Sequence, residues 1–126
     1  MYRTGILLWA CLLVVESAFA QAENPHNGAW TVSFDGRHTI DLTGSVVVKD
    51  DGGVWDVVAQ STKNPCIGRE YPITVKKATA EELVFTVNRA KVLTGCRDST
   101  YAFRRVDDRT LKGELTEGRP ATLVRK

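Results

Sequence analysis

The sequence predicts an all-β protein, a small eight-stranded antiparallel up-and-down barrel, with a two-sheet β-sandwich as the alternative. Three observations predict it. From Ala29 onward apolar side chains recur at every second position, the strand period. Turn-forming pairs interrupt this alternation every 8 to 15 residues or so, the rhythm of a barrel or a sandwich. No helical apolar period persists for more than a turn or two beyond residue 20.

Taken in order, Trp30, Val32 and Phe34 share one face of the first strand, and Asp35-Gly36 marks a turn. Ile40, Leu42, Val46 and Val48 share a face of the second, where Gly44 predicts a bulge or bend. Asp50-Asp51-Gly52-Gly53 is the strongest hairpin signal, because glycine accepts the positive φ such turns need. It lacks the further oxygen ligands of an EF-hand loop. Trp55, Val57 and Ala59 face inward on the third strand, and Gln60 to Gly68 forms a polar loop. Tyr71, Ile73 and Val75 mark the fourth, where Pro72 predicts an edge, a bulge or a strand start. Ala78 to Glu82 suits a brief helical turn. Leu83, Phe85 and Val87 make the fifth strand, and Ala90 to Ser99 is irregular. Tyr101 and Phe103 open the sixth, which Asp107-Asp108 ends. Leu111, Gly113 and Leu115 make the seventh. Glu117-Gly118-Arg119-Pro120 turns the chain into a last strand, Ala121 to Arg125. Short connections throughout favour a meander in which neighbours in sequence pair in space.

The amino terminus has another character. Arg3 precedes ten apolar residues, Ile6 to Val15, and Ala18-Phe19-Ala20 and Ala20-Gln21-Ala22 are overlapping small-x-small cleavage sites. This is the layout of a signal peptide, and the apolar run falls short of the roughly 20 residues that span a bilayer. Leu8-Trp9-Ala10-Cys11 is a poor lipoprotein box, since Leu12 to Val15 continue the apolar run past the cysteine. The expected organisation is a signal peptide at 1–20, a flexible leader at 21–28 and a β-barrel domain at 29–126. Cleavage near Ala20 or Ala22 sends the chain to the periplasm or the medium.

Removal of the signal takes away Cys11 and leaves Cys66 and Cys96. Two cysteines in an exported domain allow one intramolecular disulfide. By chain entropy, a loop of about 31 residues makes it worth roughly 3.5 to 4 kcal/mol. Zinc is the rival reading, and neither His26 nor His38 has ligand spacing to a cysteine. The net charge of +2 gives no electrostatic case for nucleic acid. Arg104-Arg105 beside Tyr101 and Phe103 suits one solvated and one rim arginine better than a base-stacking groove. No second long apolar segment implies a membrane span.

Gly28-Ala29-Trp30 opens the first strand and Arg125 lies on the last. The pair resembles the calycin pattern of lipocalins and avidins, in which an arginine near the carboxyl end packs on a G-x-W tryptophan. Arg125 shares a strand face with Leu123 and Ala121, so an inward face lays its guanidinium against Trp30 at the barrel floor. Such a contact is worth about 0.5 to 2 kcal/mol. The first strand lacks the Asn and Gly-Ser that avidins use at biotin, so the resemblance implies barrel shape and not biotin. The chain as a whole resembles small exported proteins of Gram-negative bacteria, which implies an address and no activity.

No nucleophile elbow, HExxH, Walker loop or dinucleotide fingerprint is present. His26 and His38 lie in polar, turn-like contexts that suit solvated surface residues, and the acidic pairs at 50–51, 81–82 and 107–108 fall at turns. The expectation is a monomeric, non-enzymatic exported binding protein without cofactor or metal. One form holds a small, mostly apolar molecule among Phe34, Trp55, Tyr71, Phe85, Tyr101 and Phe103. These side chains equally suit a filled interior. The other form is a protein-binding module, such as a periplasmic enzyme inhibitor. It presents the loops Gln60 to Arg69 and Ala90 to Ser99, which the disulfide joins and pre-orders.

Overall fold

A computed structural model describes residues 23–34, 42–59, 64–115 and 120–126. The signal segment, the Asp35-Gly36 turn, His38, Ile40, Gln60 to Lys63 and most of the Glu117-Pro120 turn lie outside the described residues. Those described form eight strands: β1 (Gly28–Phe34), β2 (Leu42–Lys49), β3 (Gly52–Ala59), β4 (Glu70–Ala78), β5 (Glu82–Val87), β6 (Ser99–Asp107), β7 (Thr110–Leu115) and β8 (Pro120–Arg125). Each pairs antiparallel with the next, and β8 pairs with β1, closing the barrel. Closure runs from Trp30 opposite Arg125 to Phe34 opposite Ala121. It leaves no edge strand, and the sandwich alternative falls.

Alternation decides the inside. Trp30, Val32, Val46, Val48, Trp55, Ile73, Leu83, Phe85, Phe103, Leu111 and Leu123 are buried in one core. Their strand neighbours face out. Val47 and Val54, register partners on β2 and β3, are exposed apolar residues of the outer wall.

Several local expectations change. Gly44 makes no bulge: its register between Val32 and Val57 is regular. A Cβ there would meet the carbonyl oxygen of Asp56 at 2.2 Å, so glycine serves a close strand approach. The register shifts fall at Val75/Lys77 and Arg105/Asp107 instead. The β2–β3 turn is centred on Asp50-Asp51, because Lys49 already pairs with Gly52. Within this motif Asp50 carries a positive φ of 55°, and so does Gly53, at 139°. Asn27 makes this tolerable: its Oδ1 accepts from the Asp50 N–H at 2.7 Å and its Nδ2 donates to Asp50 Oδ1 at 3.1 Å. Thr79 to Glu81 is a tight strand connection and not a helical turn, with the Thr79 N–H donating to the Glu82 carbonyl at 2.9 Å. Pro72 lies two residues into β4, opposite Val54, near the strand start.

The stretch before β1 is tied down from Asn24 to Asn27, where a flexible leader is expected. Asn24 Nδ2 donates to the Asp50 carbonyl at 2.9 Å. His26 is 4% exposed, against the expectation of a solvated residue, with Nε2 2.6 Å from the Thr79 carbonyl oxygen. Its ring lies against Trp30. The sequence shows a polar stretch; its polar groups are spent on the backbone of two turns.

Candidate functional site

The two ends of the barrel differ in construction. At one end the segment before β1 and the β2–β3, β4–β5 and β6–β7 turns meet. Trp30 lies there, 1% exposed, its Nε1 donating to the His26 carbonyl at 2.9 Å. The Arg125 guanidinium lies 4.3 Å from the Trp30 ring centre. It also donates to the carbonyls of Asn27 at 2.6 Å and Pro25 at 3.1 Å. The expected floor pair is thus in contact, and one cation ties β8, β1 and the preceding segment together.

The sequence-predicted ligand-lining residues divide by height in the barrel. Phe85 is fully buried, its ring 5.9 Å from Trp55, 5.8 Å from Tyr101 and 5.6 Å from Phe103. Trp55 and Tyr101 stack at 4.8 Å, and Tyr101 and Phe103 at 5.9 Å. Phe34 meets Trp55 and Tyr101 edge-on. These rings fill the interior, as an eight-strand barrel is just wide enough to allow. Phe85 and Phe103 belong to this packed core and do not border the cleft at the other end.

The open space is a cleft of about 50 Å³ at the other end, where Phe34, Trp55, Tyr71 and Tyr101 meet Cys66, Ile67 and Arg89. This end carries the β3–β4 and β5–β6 connections. The Cys66–Cys96 disulfide joins them, with Cα atoms 5.7 Å apart. Tyr71 is a buried core residue whose hydroxyl reaches the first connection, donating to the Cys66 carbonyl at 2.7 Å. Asn64 Oδ1 turns that connection by accepting from the Cys66 N–H at 2.9 Å. Arg89 enters from the second. Its guanidinium lies 5.6 Å from the Tyr71 ring centre and Nη1 donates to Ser99 Oγ at 2.6 Å. Asp98 Oδ1 accepts from the Ala90 N–H at 3.0 Å and fixes the start of that loop.

Ile67 falls within the Gln60 to Arg69 loop offered above, whereas Arg89 and Val57 also line the cleft and were not singled out as site residues. Alternation ends at Val87, so periodicity gives no direction for a residue two positions beyond it. The available signal for Arg89 was its place one residue before the Ala90 to Ser99 loop.

Larger hollows lie on the outside. One of about 610 Å³ runs past Asn24, Asp50 and the β4 bulge, and one of about 250 Å³ lies beside Trp30, Arg105 and Arg125. In the second, Arg105 is held by Glu81 and Asp108. Among the described residues no three of His, Cys, Asp and Glu come together as a metal site. Likewise, no helix is long and apolar enough to cross a membrane. Comparison of the chain with protein-family models, with curated proteins and with solved structures finds no match.

Proposed function

We propose that this chain is a non-enzymatic, exported binding protein that works as a protein-binding module through its disulfide-tied loop end. The observation that carries this reading is the division of the aromatic residues. Trp55, Phe85, Tyr101 and Phe103 fill the barrel, and the remaining cleft of about 50 Å³ opens between the two joined connections. A cleft of this size takes one side-chain tip and not a whole apolar ligand, whose pockets run to about 300–1,000 Å³. Joining the loops to each other and to Tyr71 lowers the entropy cost of ordering them against a partner. An inhibitor of a periplasmic or extracellular enzyme is one partner type that suits a stapled loop surface. The disulfide supports an oxidising compartment, and the N-terminal layout supports export. The Trp30–Arg125 contact supports kinship with calycin barrels in shape.

A second reading, a small apolar molecule held at the mouth, draws on the four aromatic side chains of the cleft. The two separate by experiment. Protein purified from the exported fraction is weighed by native mass spectrometry, and photo-crosslinking residues are placed at Lys91 or Lys126. The protein-binding reading predicts no retained small molecule and a crosslinked protein from position 91 but not 126. A retained molecule, or equal crosslinking from both ends, overturns it.

A further inference from the structure

The cleft has a chemical character that narrows its partner, and the inference rests on the loop-end reading above. The described parts of the two joined connections, residues 64–69 and 88–98, contain Arg69, Arg89, Lys91 and Arg97 against Asp98 alone. The entire chain carries a net charge of only +2, so positive charge is concentrated on these two short segments. Arg69, Lys91 and Arg97 are exposed. Asp98 is already engaged by the Ala90 N–H.

Within this field the cleft presents two kinds of wall. Phe34, Trp55 and Tyr101 give an apolar floor, and Arg89 gives a cationic side. Packing on Tyr71 and the bond to Ser99 hold the guanidinium in place before anything binds. A guanidinium is a planar fork of five donors, and Ser99 takes one of them. Its strongest complement is a carboxylate, bound through two parallel hydrogen bonds. At about 50 Å³ the space holds roughly three or four waters' worth of atoms, enough for a carboxylate and the methylene that carries it.

We infer that the loop end recognises an acidic segment of a protein partner, one carboxylate side chain entering the cleft against Arg89 while Arg69, Lys91 and Arg97 receive its acidic neighbours. The surrounding cations steer encounter, and the cleft fixes register.

The test uses the exported, disulfide-bonded protein and two probe peptides, Ac-Glu-Phe-Glu-Phe-Glu-amide and its counterpart with Lys in place of each Glu. Amide and arginine Nε shifts are followed by NMR. The acidic peptide is expected to shift residues 66–71 and 89–101 and the Arg89 side chain saturably, and the lysine peptide is not. The double variant Lys91→Glu/Arg97→Glu, both exposed and outside the core, is expected to weaken binding about tenfold or more, and so is added salt. Arg89→Lys, which keeps the charge and removes the fork, is expected to weaken it as well. Equal binding of both peptides, shifts mapping elsewhere, no saturable shift at millimolar peptide, or indifference to the charge reversal overturns the inference. If a protein still crosslinks at position 91 while a second reversal that leaves this position to the crosslinker, Arg69→Glu/Arg97→Glu, does not change its yield, the acidic partner falls and the loop-end reading stands. Loss of crosslinking in the unsubstituted background removes both.

Discussion

The Arg125 guanidinium lies 4.3 Å from the centre of the Trp30 ring, and the two residues are also backbone partners where β8 closes on β1. One side chain therefore seals the floor and reinforces the closing seam. Gly28 is part of the same arrangement: its φ is +131°, and a Cβ there would stand 2.8 Å from Arg125 Nη1. The spacing of glycine and tryptophan thus leaves room for the arginine.

Arg125→Lys keeps the charge but loses the planar stack and the paired bonds to the Pro25 and Asn27 carbonyls. A loss of about 1–3 kcal/mol is expected in urea unfolding, with a change in Trp fluorescence of the folded protein. Gly28→Ala is expected to destabilise as well, through backbone strain and displacement of the guanidinium. An unchanged midpoint for Arg125→Lys would show that the seam does not depend on the contact.

Replacing both cysteines by serine, Cys66→Ser with Cys96→Ser, is expected to cost roughly 3.5 to 4 kcal/mol, from the entropy of the opened loop. Neither cysteine belongs to the main interior cluster, so far-UV circular dichroism of the variant at low temperature should remain that of a β protein. Hydrogen exchange should rise first at residues 64–69 and 88–98. Loss of the β spectrum would mean that the bridge is needed to form the barrel.

Phe85 touches three other rings at full burial, whereas Phe34 lies at the cleft. Phe85→Ala is expected to cost about 3–5 kcal/mol, and Phe34→Ala distinctly less, since water can enter where Phe34 stood. Equal losses would contradict the difference in packing between the two heights of the barrel.

Acid should weaken the fold through two carboxylates. Glu82 lies below its ordinary value of 4.5, chiefly because the Lys77 ammonium hydrogen-bonds and attracts it at 2.9 Å. Asp107 lies below its ordinary value of 3.8, chiefly because it accepts from the Arg109 backbone N–H, with Thr110 adding to it. A folded-state value below the unfolded one gives stability that is present above the unfolded value and lost as pH falls through the folded one. Glu82→Gln and Asp107→Asn should therefore be less stable than the unsubstituted protein at neutral pH. That difference should shrink below about pH 4. A difference that persists at about pH 3 would assign the effect to hydrogen bonding of the neutral forms.

The barrel was legible in the sequence because side-chain alternation is a two-state signal. Trp30, Val32 and Phe34 declare one face without knowledge of any partner strand, and short turns then leave neighbouring strands to pair. Height along the barrel has no such signal. Phe85 and Phe34 both face inward, yet one is enclosed and the other borders the cleft. Polarity also misled at the floor. His26 looks like a surface residue until the Thr79 carbonyl, 53 positions away, is placed beside it. Gly44 shows a third limit, since a glycine in a strand signals a bulge and a close approach equally, and only the register tells them apart.

The central claim is that the interior is closed to ligands and that recognition belongs to the loop end. Titration with cis-parinaric acid, a long-chain fluorescent probe, tests it most directly, through energy transfer from Trp55 and Trp30. The account predicts no saturable transfer in the folded, disulfide-bonded protein. Stoichiometric, saturable binding that Phe85→Trp abolishes would place a ligand inside the barrel and contradict it.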